Sequence, residues 1–490
     1  MAESGVVFPL RGSAGRSTSA LGRDVVAAAL RGTDAPGSRS AQQETDWRRH
    51  YLLHFRRLLE AGLDHADDAR RIAADGLAAL HTQMRFVRSD GEEVGLADAF
   101  AADALACDPL ETVVVTGKGA VDRELSLPYA GQRLRGDELR RQLDAWVVDG
   151  VIEPSCAEAV RQVAANPDWL DLSDLRLVAL GAAAEMGPLR SILRWGGDVV
   201  AVDLPRAGLW RDLLAITDRY AGRMHVPTTG AKRGAGDDLS ERAGADLLHH
   251  LPAVTDWLGR FDGRLVLGNY VYADGPLNVR VAMAVDALTS HLLSARQDIG
   301  LAFLATPTDT FAVPLEAVAQ AEVKYRQRST MGMLRRPLRL LSGGRLLRRN
   351  YAPDSAPGIC DSLVAQQGPN YALAKRLQRW RATHARTYGV PVSLKVAPPT
   401  RTRSVVKNRA LAAAYAGAHF FGVEVFEPAT SNTLMAALLV HDLRRPTPPR
   451  AHPWMDEADG AAHGGLWRAP YSPRSALGLA ALIGIGGARG

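Results

Sequence analysis

The stretch that decides the fold runs from Leu175 to Asp203. Leu175-Arg-Leu-Val-Ala-Leu180 is an apolar run of strand length. Gly181-Ala-Ala-Ala-Glu-Met-Gly187 follows as a glycine-bounded turn, Pro188 to Arg194 reads as a helix, and Val199-Val-Ala-Val202 is a second apolar strand closed by Asp203. Strand, turn, helix and strand in that order make a βαβ unit. Further strands are expected at Leu265–Leu267, Gly300–Ala305 and Val390–Val396, with helical stretches between them. This alternation predicts an α/β protein with a Rossmann-like, doubly wound parallel sheet.

Upstream of Asp171 the texture differs. Trp47, Tyr51, Leu52, Phe55, Leu58, Leu59 and Leu63 recur at three- and four-residue steps, one apolar helical face. Helical patterning continues to Met84 and returns at Asp137–Val148 and Ser155–Ala165. Residues 1–43, rich in Gly, Ser, Ala and Arg, read as loose, with a short helix at Asp24–Leu30. The expected organisation is a flexible N-terminus (1–43), a helical accessory region (44–170), the α/β domain (171–445) with an insertion at 311–368, and an extension (446–490).

The composition, 47% hydrophobic and 23% charged, excludes wholesale disorder, collagen and coiled coil. A formal charge of +6 over 490 residues permits anionic partners but does not argue for nucleic acid. Cys107, Cys156 and Cys360 are odd in number and far apart. Neither a disulfide framework nor a metal site is expected, and a reduced, cytoplasmic setting fits. The N-terminus lacks a signal peptide's pattern, and the longest apolar stretch, Ala476–Ile485, is about half of what a spanning helix needs, so a soluble protein is expected.

The glycines of the turn after Leu180 let the backbone bend tightly and let a phosphate approach the following helix. Asp203 lies 22 residues after Gly181 (203 − 181), where a carboxylate grips a ribose diol. An adenosine ribose site is common to dinucleotides and S-adenosylmethionine. A methyltransferase and a non-catalytic nucleotide-binding regulator or scaffold therefore stand as alternatives. The apolar Val178 and Ala179 lower the methyltransferase reading.

Tyr371-Ala-Leu-Ala-Lys375 opens a helix, and the i,i+4 spacing puts both side chains on one face. A lysine cation beside a phenol lowers the phenol's pKa and suits it to proton transfer. With 11 Tyr and 6 Lys among 490 residues, chance supplies about 0.13 such pairs (11 × 6/490).

In this order of motifs, from about Leu175 to Asp442, the chain resembles the short-chain dehydrogenase/reductase family. Gly389-Val-Pro-Val-Ser-Leu-Lys-Val-Ala-Pro-Pro399 is similar to the family's next strand and turn, and Glu427–Asp442 to its late helix. The resemblance implies an NAD(P)-dependent oxidoreductase that interconverts a ketone and a secondary alcohol by hydride transfer. Tyr371 would be the acid/base and Lys375 its tuning cation. Thr306 or Thr308 would stand in for the family's serine, and Asn278 would anchor a proton relay. It also implies cofactor contacts from Gly181, Glu185, Met186, Gly187, Asp203, Arg206, Asn269, Lys375, Pro398 and Thr402. Asp203 favours NAD, while Arg206 leaves NADP open. The chain departs from the pattern at Glu185, which replaces a glycine, at Pro398-Pro399, and in the step of 65 positions from Thr306 to Tyr371 (371 − 306).

That long interval holds residues 323–350, VKYRQRSTMGMLRRPLRLLSGGRLLRRN, with nine basic residues and no acidic one. A solvated loop is the plainest expectation. An anion-receiving lid for phosphate-bearing, CoA-linked or acyl-carrier-linked substrates is the functional one. A membrane-surface patch ranks last. Thr116-Gly-Lys118-Gly lacks the spacing of a phosphate loop. A small-molecule or carrier-linked substrate and a homo-oligomer complete the expectations.

Overall fold

The structure is a computed structural model, which describes residues 4–12, 15–101, 109–230, 238–327, 330–353 and 355–485. Cys107 lies outside the described residues, and Cys156 and Cys360 are free and buried. The centre is a seven-stranded sheet: β1 (Glu111–Thr116), β2 (Leu175–Leu180), β3 (Asp198–Val202), β4 (Arg223–Thr228), β5 (Arg264–Asn269), β6 (Ile299–Ala305) and β7 (Val392–Val396). The spatial order is β7-β6-β5-β2-β3-β4-β1. Only β1, on the edge, runs antiparallel to its neighbour. The chain winds outward from β2 through β3 to β4, then returns and winds the other way through β5, β6 and β7. That is the doubly wound order of Rossmann-like sheets, whose ligand crevice opens at the reversal, between β2 and β5.

Apart from the edge strand β1, the strands are largely buried on both faces, and their alternating side chains feed two cores. Val178 and Leu180 pack on one side, with α1 (Ala66–Gln83), α3 (Pro276–Ala295) and α5 (Pro369–Thr387). Leu177 and Ala179 pack on the other, with α2 (Leu189–Arg194) and α6 (Pro428–Arg444). The accessory region is welded to the first face. Gly76 of α1 lets Trp380 of α5 approach so closely that a Cβ there would stand 2.5 Å from the indole. His81 of α1 and Arg381 of α5 both reach the buried Asp286 of α3, each at 2.7 Å.

Three expectations are corrected. The stretch read as a flexible N-terminus contains a strand, Gly5–Val7, paired with Arg85–Val87, and helices Thr18–Leu30 and Ala35–Gln43. Leu21, Val25 and Val26 are fully buried there. Its small residues serve close helix packing, as at Gly22 against Trp47, rather than looseness. Second, β1 and β4 add strands that the reading did not name. β4, RMHVPT, mixes Arg, His and Pro with apolar residues, yet buries Met224 and Val226 completely. Third, the arginine-rich insertion is folded. Thr310–Val313 pairs antiparallel with Gly358–Asp361 as its neck, and helices Leu315–Arg326 and α4 (Thr330–Leu341) lie between. A last helix, α7 (Pro473–Gly484), packs near α4. Among the described residues, no helix is long and apolar enough to cross a membrane.

Candidate functional site

Strand register sets the crevice. Leu180 stands opposite both Val202 and Asn269, so the three strand ends are level and Gly181, Asp203 and Tyr270 meet at one rim. Gly181 has φ +85° and a Cβ would lie 3.0 Å from the Tyr270 backbone, a position only glycine fills without strain. A cavity of about 1610 Å³ opens there. Of the residues expected at the site, Gly181, Glu185, Met186, Asp203, Asn269, Asn278, Thr306, Thr308, Tyr371, Lys375, Pro398 and Thr402 all line it. Gly187 and Arg206 do not. A Cβ on Gly187 would face the Tyr270 ring at 3.6 Å, and Arg206 is exposed beyond the rim.

At the β2–β3 end the Asp203 carboxylate accepts the Ala183 N–H at 2.9 Å and the Leu204 N–H at 2.8 Å. It thereby closes the glycine turn onto β3. Burial raises its pKa, against the pull of those two N–H groups. Glu185 holds the far side of the turn. Its carboxylate accepts the Arg403 N–H at 2.8 Å and lies 3.4 Å from the Arg403 guanidinium, and its carbonyl accepts from Asn432 of α6. The residue that replaces a glycine thus ties the turn to the loop after β7.

The other end is built on α5. Tyr371 sits in its first turn and Lys375 one turn later. Lys375 Nζ donates to Leu304 O at 3.3 Å and Gln378 Oε1 at 3.1 Å, and Gln378 Nε2 donates to Asn269 Oδ1 at 3.0 Å. Burial lowers the lysine pKa to about 8. Across the cavity the Thr306 and Thr308 hydroxyls lie 2.9 Å apart, and Gln367 donates to Thr308 at 2.7 Å. Asn278 Oδ1 accepts the Ala273 N–H at 3.1 Å, which fixes the loop between β5 and α3.

The expected tuning of Tyr371 is corrected. Burial raises the phenol's pKa, and the opposing pull comes from the Thr306 hydroxyl rather than from Lys375. The lysine ammonium is bonded instead to the Leu304 carbonyl and the Gln378 side chain. Sequence reasoning missed Gln378, Gln367 and Asp309. Gln378, three residues after Lys375, was recoverable from helix spacing. Asp309 is 1% exposed and lies between Arg376 (2.8 Å) and Arg379 (2.7 Å) of α5, and Arg379 also binds Glu457 at 2.6 Å. That buried ladder locks the Thr306–Thr308 loop to the helix that carries Tyr371.

The cavity also has an apolar end, walled by Leu411, Tyr415, Phe421, Ala476 and Leu477. Among the described residues of 323–350, none lines the cavity.

No protein-family model matches the chain, and a search of curated proteins finds no match. Among solved structures it is similar to a thiolation-reductase di-domain from an archaeal non-ribosomal peptide synthetase. The identity is 12% and the TM-score 0.28, over 56% of this chain and 54% of that one. The chain thus aligns with about half the length of that structure. The fold assignment rests on strand order and register.

Proposed function

We propose that the protein is an NAD(P)-dependent oxidoreductase of the short-chain type, interconverting a ketone and a secondary alcohol, with NAD as the favoured dinucleotide. The observation that supports this reading is one cavity at the sheet's reversal that joins Gly181 and Asp203 to Tyr371, Lys375 and Thr306. The residues present fit the group. Gly181 leaves the crevice floor free of side chain, and each Asp203 oxygen keeps a lone pair for a ribose hydroxyl. Glu185 is the one anionic side chain of the turn, and Arg403 beside it offsets its charge.

A bound nicotinamide dinucleotide supplies or accepts the hydride. Thr306 orients the substrate oxygen by a hydrogen bond. Tyr371, kept protonated at neutral pH by burial, gives its proton to that oxygen as the ketone becomes an alcohol. Lys375, tied to Leu304 and Gln378, holds a positive charge near the ribose side below its pKa of about 8. Asn269 and Gln378 fix it there.

Two measurements test the proposal. Thermal shift with NAD, NADP and S-adenosylmethionine is expected to show stabilisation by NAD first. Stabilisation by S-adenosylmethionine alone overturns the reading. In turnover assays over a ketone panel, Tyr371→Phe is expected to lose about 10²–10⁴-fold in kcat with dinucleotide affinity unchanged. Wild-type turnover by that variant sinks the catalytic assignment.

A further inference from the structure

The arginine-rich helix α4 shows two faces. Met331 and Leu338 turn inward and pack on a small cluster of Leu347, Phe421, Tyr471, Ala476 and Ala480. Arg335 also turns inward, its guanidinium 4.1 Å from the centre of the Tyr325 ring. The outward face is Met333, Leu334, Pro337, Leu340 and Leu341. At 100° per residue these five span an arc of about 120°, the width of a face that normally packs on something. Here it meets solvent: Met333 is 71% exposed, Leu340 83% and Leu341 86%. Leu482 and Ile485, at the end of α7, are exposed as well, and Leu479 of the same helix packs on the shared cluster.

The surrounding charge is mainly positive: Arg349 pairs with Glu322 at 2.7 Å and Arg56 with Glu60 at 2.6 Å, but other arginines are left over. Arg336, Arg345 and Arg348 are exposed and have no carboxylate partner among the described residues. Beside the helix a hollow of about 560 Å³ is lined by Arg56, Arg339, Arg348 and Arg349, with no acidic residue in its wall among the described residues. An unpartnered apolar stripe bordered by unpaired arginines and an arginine-walled hollow complements one surface chemistry: acyl chains beneath anionic headgroups. A second copy of the chain would set these arginines against each other.

We propose that α4 and the arginines around it form a docking surface for an anionic phospholipid bilayer. The stripe enters the acyl boundary, and the hollow takes a headgroup phosphate. The cluster under α4 shares Phe421, Tyr471, Ala476 and Ala480 with the wall of the large cavity, so docking sets the cavity's apolar end toward the lipid. This inference stands apart from the proposed reaction, because its test reads binding and not turnover.

The test is sedimentation of the full-length chain with vesicles of phosphatidylcholine alone or of phosphatidylcholine mixed with phosphatidylglycerol. The chain is expected to sediment with the mixed vesicles, less so as salt rises, and to stay in solution with phosphatidylcholine alone. Leu340→Glu combined with Leu341→Glu is expected to weaken sedimentation by about tenfold or more with an unchanged melting temperature, since both side chains are exposed. An alanine pair at Arg345 and Arg348 is expected to weaken it in the same direction. Failure to bind mixed vesicles overturns the proposal, and so does wild-type binding by the Leu340/Leu341 variant. A dimer that the same variant dissolves, with no vesicle binding, assigns the stripe to a second copy and overturns it too.

Discussion

The Glu185 carboxylate accepts the backbone N–H of Arg403 at 2.8 Å, bridging the turn after β2 and the loop after β7 across the mouth of the crevice. Where a short-chain dehydrogenase-like turn would carry a glycine, this chain carries an anion whose partner comes from 218 residues downstream. The bridge holds the mouth together and, on the function proposed above, places a carboxylate near the bound dinucleotide.

Glu185→Gln keeps the acceptor for Arg403 and removes the charge. One like-charge interaction at about 4 Å in water is worth about 1 kcal/mol, and Arg403 offsets part of it, so NAD is expected to bind more tightly by up to about fivefold. Isothermal titration calorimetry checks it, and weaker binding by the variant would show that the bridge, not the charge, governs affinity.

Lys375 gives a stability signal with a defined sign. Its pKa is about 8 in the folded chain against an ordinary 10.5. Between those values the unfolded chain binds more protons, so this group's contribution to stability rises with pH across that window and is constant below it. The melting temperature of Lys375→Met relative to the parent is expected to fall as pH climbs from 8 to 10.5. A gap that does not change with pH contradicts the burial of the ammonium.

Glu153 acts in the opposite range. Burial pushes its pKa up, but Arg468 and His463 hold it down to about 2, against an ordinary 4.5. The Arg468 contact is bidentate, at 2.8 and 2.7 Å. A carboxyl depressed on folding stabilises above its ordinary pKa and loses that contribution as pH falls toward the folded value. About 3 kcal/mol is therefore lost between pH 4.5 and 2. In Glu153→Gln the acid limb of a stability–pH curve is expected to flatten, as read by urea midpoints.

Asp309 is the hinge of the buried ladder under the site. Replacing it with Ala leaves Arg376 and Arg379 facing an unfilled, buried position, at a cost of about 3–5 kcal/mol. The urea midpoint is expected to drop accordingly. Because Thr308 is its neighbour, the KM of any ketone turned over is expected to rise by more than kcat falls. An unchanged midpoint would show that the ladder is dispensable.

Much of the fold was legible because β2, its turn and β3 are short, apolar and local. Leu175–Leu180 and Val199–Val202 cannot be exposed, and Gly181 and Asp203 bracket them at a fixed spacing. The Tyr371–Lys375 pair was legible for the same reason, since i,i+4 geometry belongs to any helix. What could not be read is what depends on distant partners. Lys375 is held by Leu304, which arrives from β6, and by Gln378. β4 hides as a strand because its Arg223 and His225 are matched to Asp198 of β3. The N-terminal helices read as loose because alanine and glycine carry little periodic signal until Trp47 is placed against them.

The sequence by itself determined the α/β class, the crevice-forming turn and the face shared by Tyr371 and Lys375, because backbone propensity and periodicity act over a few residues. Only the tertiary structure decided the direction of the Tyr371 shift, the Glu185–Arg403 bridge and the outward turn of the leucines in α4. Burial and charge pairing are set by which chain segments meet in space, and no local spacing encodes that.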